Sequence, residues 1–196
     1  MKSDFLQRLE RRPVIAAVRE AKNLEQATRS HTAAVFLLGG SLMTLPALVE
    51  RARASGKYVF VHLDLCDGLG KDAAAVDWIS LALRPDGLIS TRQQLLRRAR
   101  EQGLITIQRL FLMDSESLTN GVRLLRTAPP DLVEVLPGLV PKGIRALREE
   151  LGLPVIAGGM VTEAADVEQA LQAGASGVSS SVRALWDTER KEEGNR

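Results

Sequence analysis

Cysteine is nearly absent: Cys66 stands alone, which excludes an intramolecular disulfide and a cysteine-cluster metal site and suits a reducing compartment. Histidine is scarce as well, and His31 and His62 are too few for a zinc hydrolase centre built from several imidazoles. Four Phe, two Trp and one Tyr leave little aromatic surface for stacking single-stranded bases. No apolar run approaches the roughly 18 to 20 residues that a spanning helix needs. The start of the chain, Met1-Lys-Ser-Asp4 followed by Arg8, Arg11 and Arg12, has no uninterrupted apolar core for a signal peptide. A cytoplasmic protein without membrane contact is expected. The lysines are Lys2, Lys22, Lys57, Lys71, Lys142 and Lys191, and none falls in the carboxyl half of a predicted strand, which disfavours a Schiff-base aldolase.

What is present is an ordinary globular composition. The 196 residues are 45% hydrophobic and 26% charged, with 26 basic against 24 acidic side chains. One core of this size buries about 70% of the unfolded surface, so a single domain over 1–196 with a short polar tail (187–196) is expected. Most basic residues are arginine; GC-rich coding or heat tolerance accounts for this as readily as an anionic partner does.

Short apolar, β-branched runs alternate with segments of helical period. The runs are Val14–Val18, Ala34–Leu38, Tyr58–Leu63, Gly87–Ser90, Leu104–Gln108, Leu132–Leu136, Val155–Gly158 and Gly177–Ser181. Their starts lie roughly two dozen residues apart, room for one strand, one helix and two short loops. Between them, Leu45, Leu48, Val49 and Ala52 repeat at i, i+3, i+4, i+7, and Ile144, Leu147 and Leu151 do likewise. Thr91 and Gln94 have capping-box spacing, and Gly56, Gly103, Gly152 and Gly174 stand where left-handed residues end helices. Alternating βα units with right-handed crossovers allow an open doubly wound sheet or a closed barrel, and eight units favour a small (β/α)8 TIM-type barrel.

In such a barrel the working groups sit at the carboxyl ends of the strands. Alternation turns Phe60, His62 and Asp64 inward and sends Val59, Val61 and Leu63 out to the helices; Thr106, Gln108 and Glu134 are likewise expected inside. Asp64 and Glu134 either join His62, Arg19 or Arg109 in a network that fills the barrel, or bind the hydroxyls of a small polyol or phosphorylated ligand. At the ends of the last two runs, Gly158, Gly159, Ser180 and Ser181 supply small side chains, amides and hydroxyls where barrels often bind phosphate. Ordinary tight turns use the same residues. A phosphate can be bound here without a metal; Mg²⁺ held by Asp64 and Glu134 is an open alternative, although two carboxylates also suit hydroxyl binding.

The segments Val35-Phe-Leu-Leu-Gly39, Val61-His-Leu-Asp-Leu65 with Asp67-Gly-Leu69, and Pro85-Asp-Gly-Leu-Ile-Ser-Thr91 form an ordered series of motifs. It continues with Thr106-Ile-Gln-Arg-Leu-Phe111, Asp131-Leu-Val-Glu-Val-Leu-Pro-Gly138, Ile156-Ala-Gly-Gly159, Ala173-Gly-Ala175, Val178-Ser-Ser-Ser181 and Trp186. Across about residues 13–186 the chain resembles the glycerol uptake operon antiterminator family of bacteria. Ser180 stands where that family commonly has threonine, and Met160-Val161 where it has Leu-Ile. The resemblance implies a regulator rather than an enzyme. It would bind glycerol 3-phosphate as effector and then the leader mRNA of glycerol-catabolism genes, preventing a terminator hairpin. It also implies no cofactor and no DNA contact, and a homo-oligomer is compatible with it.

Carried over by position, His62, Asp64, Gln108, Arg109 and Glu134 look like the polyol end, and Gly158, Gly159, Ser180 and Ser181 like the phosphate end. The basic surface offered to RNA is the predicted helix Thr91–Gln102 with Arg92, Arg97, Arg98 and Arg100, joined by Arg51, Arg53, Arg123 and Arg126 on neighbouring helices. The competing reading is an enzyme acting on a phosphorylated triose or sugar, with Asp64 or Glu134 as general acid or base.

Overall fold

The computed structural model describes residues 2–188. Eight parallel strands close a barrel in sequence order: β1 (Val14–Val18), β2 (Ala34–Leu37), β3 (Tyr58–His62), β4 (Gly87–Ser90), β5 (Ile105–Phe111), β6 (Leu132–Leu136), β7 (Val155–Gly158) and β8 (Gly177–Ser180). The expected runs and the observed strands agree to within a residue or two, except that β5 extends to Phe111. Helix α1 (Lys2–Arg11) precedes the barrel. The crossovers are carried by α2 (Leu24–Arg29), α3 (Leu45–Ala54), α4 (Ala73–Trp78), α5 (Gln93–Glu101), α6 (Ser115–Thr127), α7 (Pro141–Leu151) and α8 (Ala164–Gln172). Among the described residues after β8, a 3-10 turn over Arg183–Leu185 follows the last strand. The tail expected over 187–196 lies, beyond Asp187 and Thr188, outside the described residues.

Two apolar layers follow from strand alternation. Val59, Val61 and Leu63 pack outward against the helices, together with Leu45, Leu48, Val49 and Ala52 of α3. Ile15, Phe36, Phe60, Ile89, Ile105, Ile107, Leu132 and Ile156 fill the interior. The floor is closed by α1, a helix whose Phe5 and Leu9, one turn apart, are fully buried in this inner cluster. The Phe5 ring lies 4.9 Å from Phe60 and 5.1 Å from Tyr58. Phe60 occupies so much of the axis that a Cβ at Gly87 would fall 2.5 Å from its ring and 2.4 Å from the Ile105 carbonyl oxygen, so only glycine fits there.

Helix ends are set locally. Gly56, Gly103, Gly152 and Gly174 have φ of 74°, 79°, 63° and 97°, as helix-stopping residues require. Asp114 with Ser117 and Glu163 with Asp166 form capping boxes on α6 and α8. The box expected from Thr91 and Gln94 does not form. Helix α5 starts two residues later than expected, behind Arg92, because the Thr91 amide donates instead to Asp64 and the Arg92 amide to Ser90 Oγ. His31 lies in the bend beyond α2.

Candidate functional site

The carboxyl ends of β3, β5, β6 and β8 converge on a buried polar cluster. Glu134, 1% exposed, and Arg109, 5% exposed, form an ion pair in which Nε and Nη2 of the guanidinium reach the same carboxylate oxygen at 2.8 and 2.7 Å. The other oxygen of Glu134 accepts a 2.6 Å bond from Ser179 Oγ. Both oxygens of Glu134 are therefore engaged, while Nη1 of Arg109 has no hydrogen-bond partner among the described residues. Gly158 leaves room for this cluster: a Cβ there would sit 2.5 Å from Ser179 Oγ and 2.6 Å from a Glu134 oxygen.

Across the mouth, His62 is 2% exposed and neither ring nitrogen has a hydrogen-bond partner among the described residues. Its pKa is pushed down to about 3, first by burial and second by the Arg109 charge, so the ring is neutral at pH 7 with one donor and one acceptor. A buried imidazole with both nitrogens unsatisfied is costly, and its polar atoms call for a partner. Asp64 lies 3.7 Å from His62 Nδ1, measured from an oxygen that accepts from Ser90 Oγ and the Thr91 amide at 2.8 Å each. Its second oxygen is 3.4 Å from Arg92 Nε. Asp64 thus links the mouth to the start of α5.

The structure brings together His62, Asp64, Arg109 and Glu134, with Gly158 beneath them. It does not bring Gln108 there. Ile105 and Ile107 point into the barrel, so Thr106 and Gln108 point outward; Gln108 donates to the carbonyls of Thr91 and Arg109 and lines a cleft against α5. The inward turn expected for Thr106 and Gln108 is corrected accordingly. Ser180 is also turned away. Its hydroxyl donates to the Val161 carbonyl and accepts from the Val182 amide, bracing the β7 and β8 loops against each other. Ser181 is exposed on the rim, and Gly159 starts a turn in which it and Met160 have successive φ of 72° and 62°. A bulky residue at positive φ is strained, a feature that concentrates at functional loops. Ser179 is the inward residue that the list of candidates missed; alternation from outward-facing Val178 identifies it.

The four arginines around α5 do not form one patch. Arg98 forks onto Asp77 at 2.7 and 2.9 Å and reaches Glu101 at 2.8 Å. Arg92 turns to Asp64, and Arg100 donates to the Pro129 carbonyl. Arg97 and Arg100 share the cleft that Gln108 lines. Among the described residues no three His, Cys, Asp or Glu side chains gather as metal ligands, and no helix is long and apolar enough to cross a membrane.

The family model described as glycerol-3-phosphate responsive antiterminator matches residues 14–186. Uncharacterized protein YgcP of Escherichia coli (strain K12) is 34% identical over 187 residues, covering 95% of this chain and 98% of YgcP. The crystal structure of a glycerol uptake operon antiterminator regulatory protein from Listeria monocytogenes superposes with a TM-score of 0.85 at 36% identity, over 88% of this chain and 94% of that one. A glycerol uptake operon antiterminator-related protein from Thermotoga maritima does so with a TM-score of 0.81 at 30% identity, over 91% and 99%. With the family model matched over residues 14–186 and relatives at 30% identity or more along nearly the whole chain, the chain belongs to the glycerol-3-phosphate responsive antiterminator family.

Proposed function

We propose that this protein is a cytoplasmic regulator that binds glycerol 3-phosphate at the barrel mouth and, in that state, binds the leader mRNA of glycerol uptake and catabolism genes so that a terminator hairpin does not form. The observation that carries the ligand site is His62, buried with two unpartnered ring nitrogens and near enough to Arg109 for that charge to lower its pKa. A neutral imidazole can donate to one glycerol oxygen and accept from another group, and Arg109 Nη1 supplies a fixed cationic donor. Glu134 and Ser179 hold that guanidinium in place. Gly159 and Ser181, each the first residue past the end of the adjacent strands β7 and β8, offer backbone N–H groups to the phosphate; Ser180 serves by joining their loops.

The competing enzyme reading asks Asp64 or Glu134 to move a proton. Glu134 has both oxygens occupied by Arg109 and Ser179, which argues against a free general base at that position. Asp64 is held by Ser90, the Thr91 amide and Arg92, and its direct connection to α5 suits a switch that reports occupancy to the outer surface. Moving a population from 1:99 to 99:1 takes about 5.5 kcal/mol of differential affinity, which a few charge-assisted hydrogen bonds of about 1.5 to 3 kcal/mol each can supply.

Calorimetric titration with glycerol 3-phosphate, with glycerol and inorganic phosphate as controls, tests this reading. One-site binding that requires the intact ester, with the ester recovered unchanged after hours, is the expected result. No saturation at millimolar ester, or its conversion to another compound, overturns it.

A further inference from the structure

The barrel has a second polar recess at its opposite end, remote from the mouth. A cavity of about 270 Å³ opens there between α1, the turn after α3 and the loop before β4, lined by Arg8, Arg53, Gly56, Lys57, Tyr58 and Asp86. Its cations retain unspent donors. Arg53 is exposed and donates no hydrogen bond to a described residue, although its charge lies near enough to Asp86 to favour that group's ionised form. Arg8 uses Nε on Asp4 and Nη1 on the Gly56 carbonyl, leaving Nη2, and its guanidinium lies 5.1 Å from the centre of the Tyr58 ring. Lys57 gives two of its three protons to the carbonyls of Ser30 and Thr32. Burial and the nearby Arg12 charge both lower its pKa, so a further positive charge is already crowded at this end. The carboxylates facing the recess are Asp4, committed to Tyr58 and Arg8, and Asp86.

Asp86 determines what the recess selects. One of its oxygens accepts from the Val59 amide at 2.8 Å and the other accepts no hydrogen bond from a described residue. A site for a bare anion would not place a carboxylate among its arginines. A nucleotide needs both kinds of group: cations for the phosphate, an acceptor for base N–H groups, and a flat guanidinium on which a base can stack.

We infer that this recess at the strand amino ends, rather than the α5 surface, holds a nucleotide of single-stranded RNA, with its phosphate toward Arg53 and Lys57 and an N–H edge of its base toward Asp86. The inference rests on the RNA-binding reading above and adds the place and the chemistry of contact. It also gives the two ends of the barrel a physical connection. Tyr58, Phe60 and His62 occupy successive same-side positions of β3, so one strand face runs from the recess, past the Phe5 ring, to the effector mouth.

The test is fluorescence anisotropy of the full chain with labelled single-stranded RNA of about 12 nucleotides, a length within the usual single-strand site range, comparing guanine-containing with all-uridine sequences and with and without glycerol 3-phosphate. Arg53→Glu is expected to weaken RNA binding about tenfold or more and to flatten its salt dependence, with the glycerol 3-phosphate titration unchanged. Asp86→Asn should remove the preference for guanine, and Arg97→Glu should bind as wild type. If Arg53→Glu binds RNA normally and Arg97→Glu does not, the recess is overturned while the regulator reading stands. If the unaltered protein binds glycerol 3-phosphate but none of these RNAs in either condition, the RNA reading and the recess fall together.

Discussion

The two ends of the barrel are filled by different physics. At the amino ends of the strands the axis is closed by Phe5, Leu9, Tyr58 and Phe60, whose contribution grows with apolar area and depends little on direction. At the carboxyl ends the same axis is closed by Arg109, Glu134, Ser179 and His62, which are stable together only if their hydrogen bonds are met as a set. The apolar end tolerates change in proportion to the volume removed. The polar end fails when one partner is lost, and it keeps one member, His62, with nothing to bond.

The largest expected effect is at the polar end. Arg109→Leu leaves Glu134 buried without its counter-charge and should cost about 3 to 5 kcal/mol in urea unfolding, with effector binding abolished. Adding Glu134→Leu should recover most of that stability and none of the binding, which separates the structural from the recognising part of the pair. Phe5→Ala at the opposite end should cost about 3 kcal/mol or somewhat more, with calorimetric affinity for glycerol 3-phosphate unchanged. An equal loss of affinity would show that the plug and the mouth are not separable.

Gly158→Ala drives a methyl group into Ser179 and Glu134 and should cost about 1 to 3 kcal/mol while weakening the effector by at least about tenfold. His62→Gln should weaken the effector by about tenfold, roughly 1.4 kcal/mol. It carries a second signature. Because the folded pKa of His62 lies near 3 against an ordinary 6.5, the unfolded chain binds a proton that the folded one refuses between those values. Stability is full above about pH 6.5 and declines as pH falls toward 3, and the variant should show a shallower decline in denaturation series across that window. The smallest effect is expected for Arg98→Ala, which breaks exposed links to Asp77 and Glu101: a slightly lower thermal midpoint and unchanged RNA affinity.

The strands were legible in the sequence because parallel strands buried on both faces appear as continuous apolar runs, and the glycine stops of the helices have no side-chain competitor. The same double burial hides which side is which. In Ile105-Thr-Ile-Gln-Arg109 neither face is purely apolar, so Gln108 was expected inside and Arg109 was carried by resemblance; the structure reverses the alternation for Gln108 and puts Arg109 opposite Glu134. Glu134 was readable, since Val133 and Val135 flank it and both pack outward. Helix α1 went unrecognised although Phe5 and Leu9 are one turn apart, because a short charged segment gives little periodic signal before its docking site exists. The dispersal of Arg92, Arg98 and Arg100 was not legible, since their acceptors, Asp64, Asp77 and the Pro129 carbonyl, come from distant parts of the chain.

The closure of β1 on β8 governs when this protein can acquire its shape. Val14 pairs with Val178 and Ala16 with Ser180, and the Val178 amide donates to the Pro13 carbonyl, so the first strand waits for the last to be synthesised. Until then the growing sheet has two open edges, one at the start of the chain and one that moves with each new strand, and contacts of such long sequence separation form slowly. A nascent chain halted before Gly177 would carry an unpaired β1 edge and a mouth lacking Ser179, exposed to association with other chains for as long as translation is delayed.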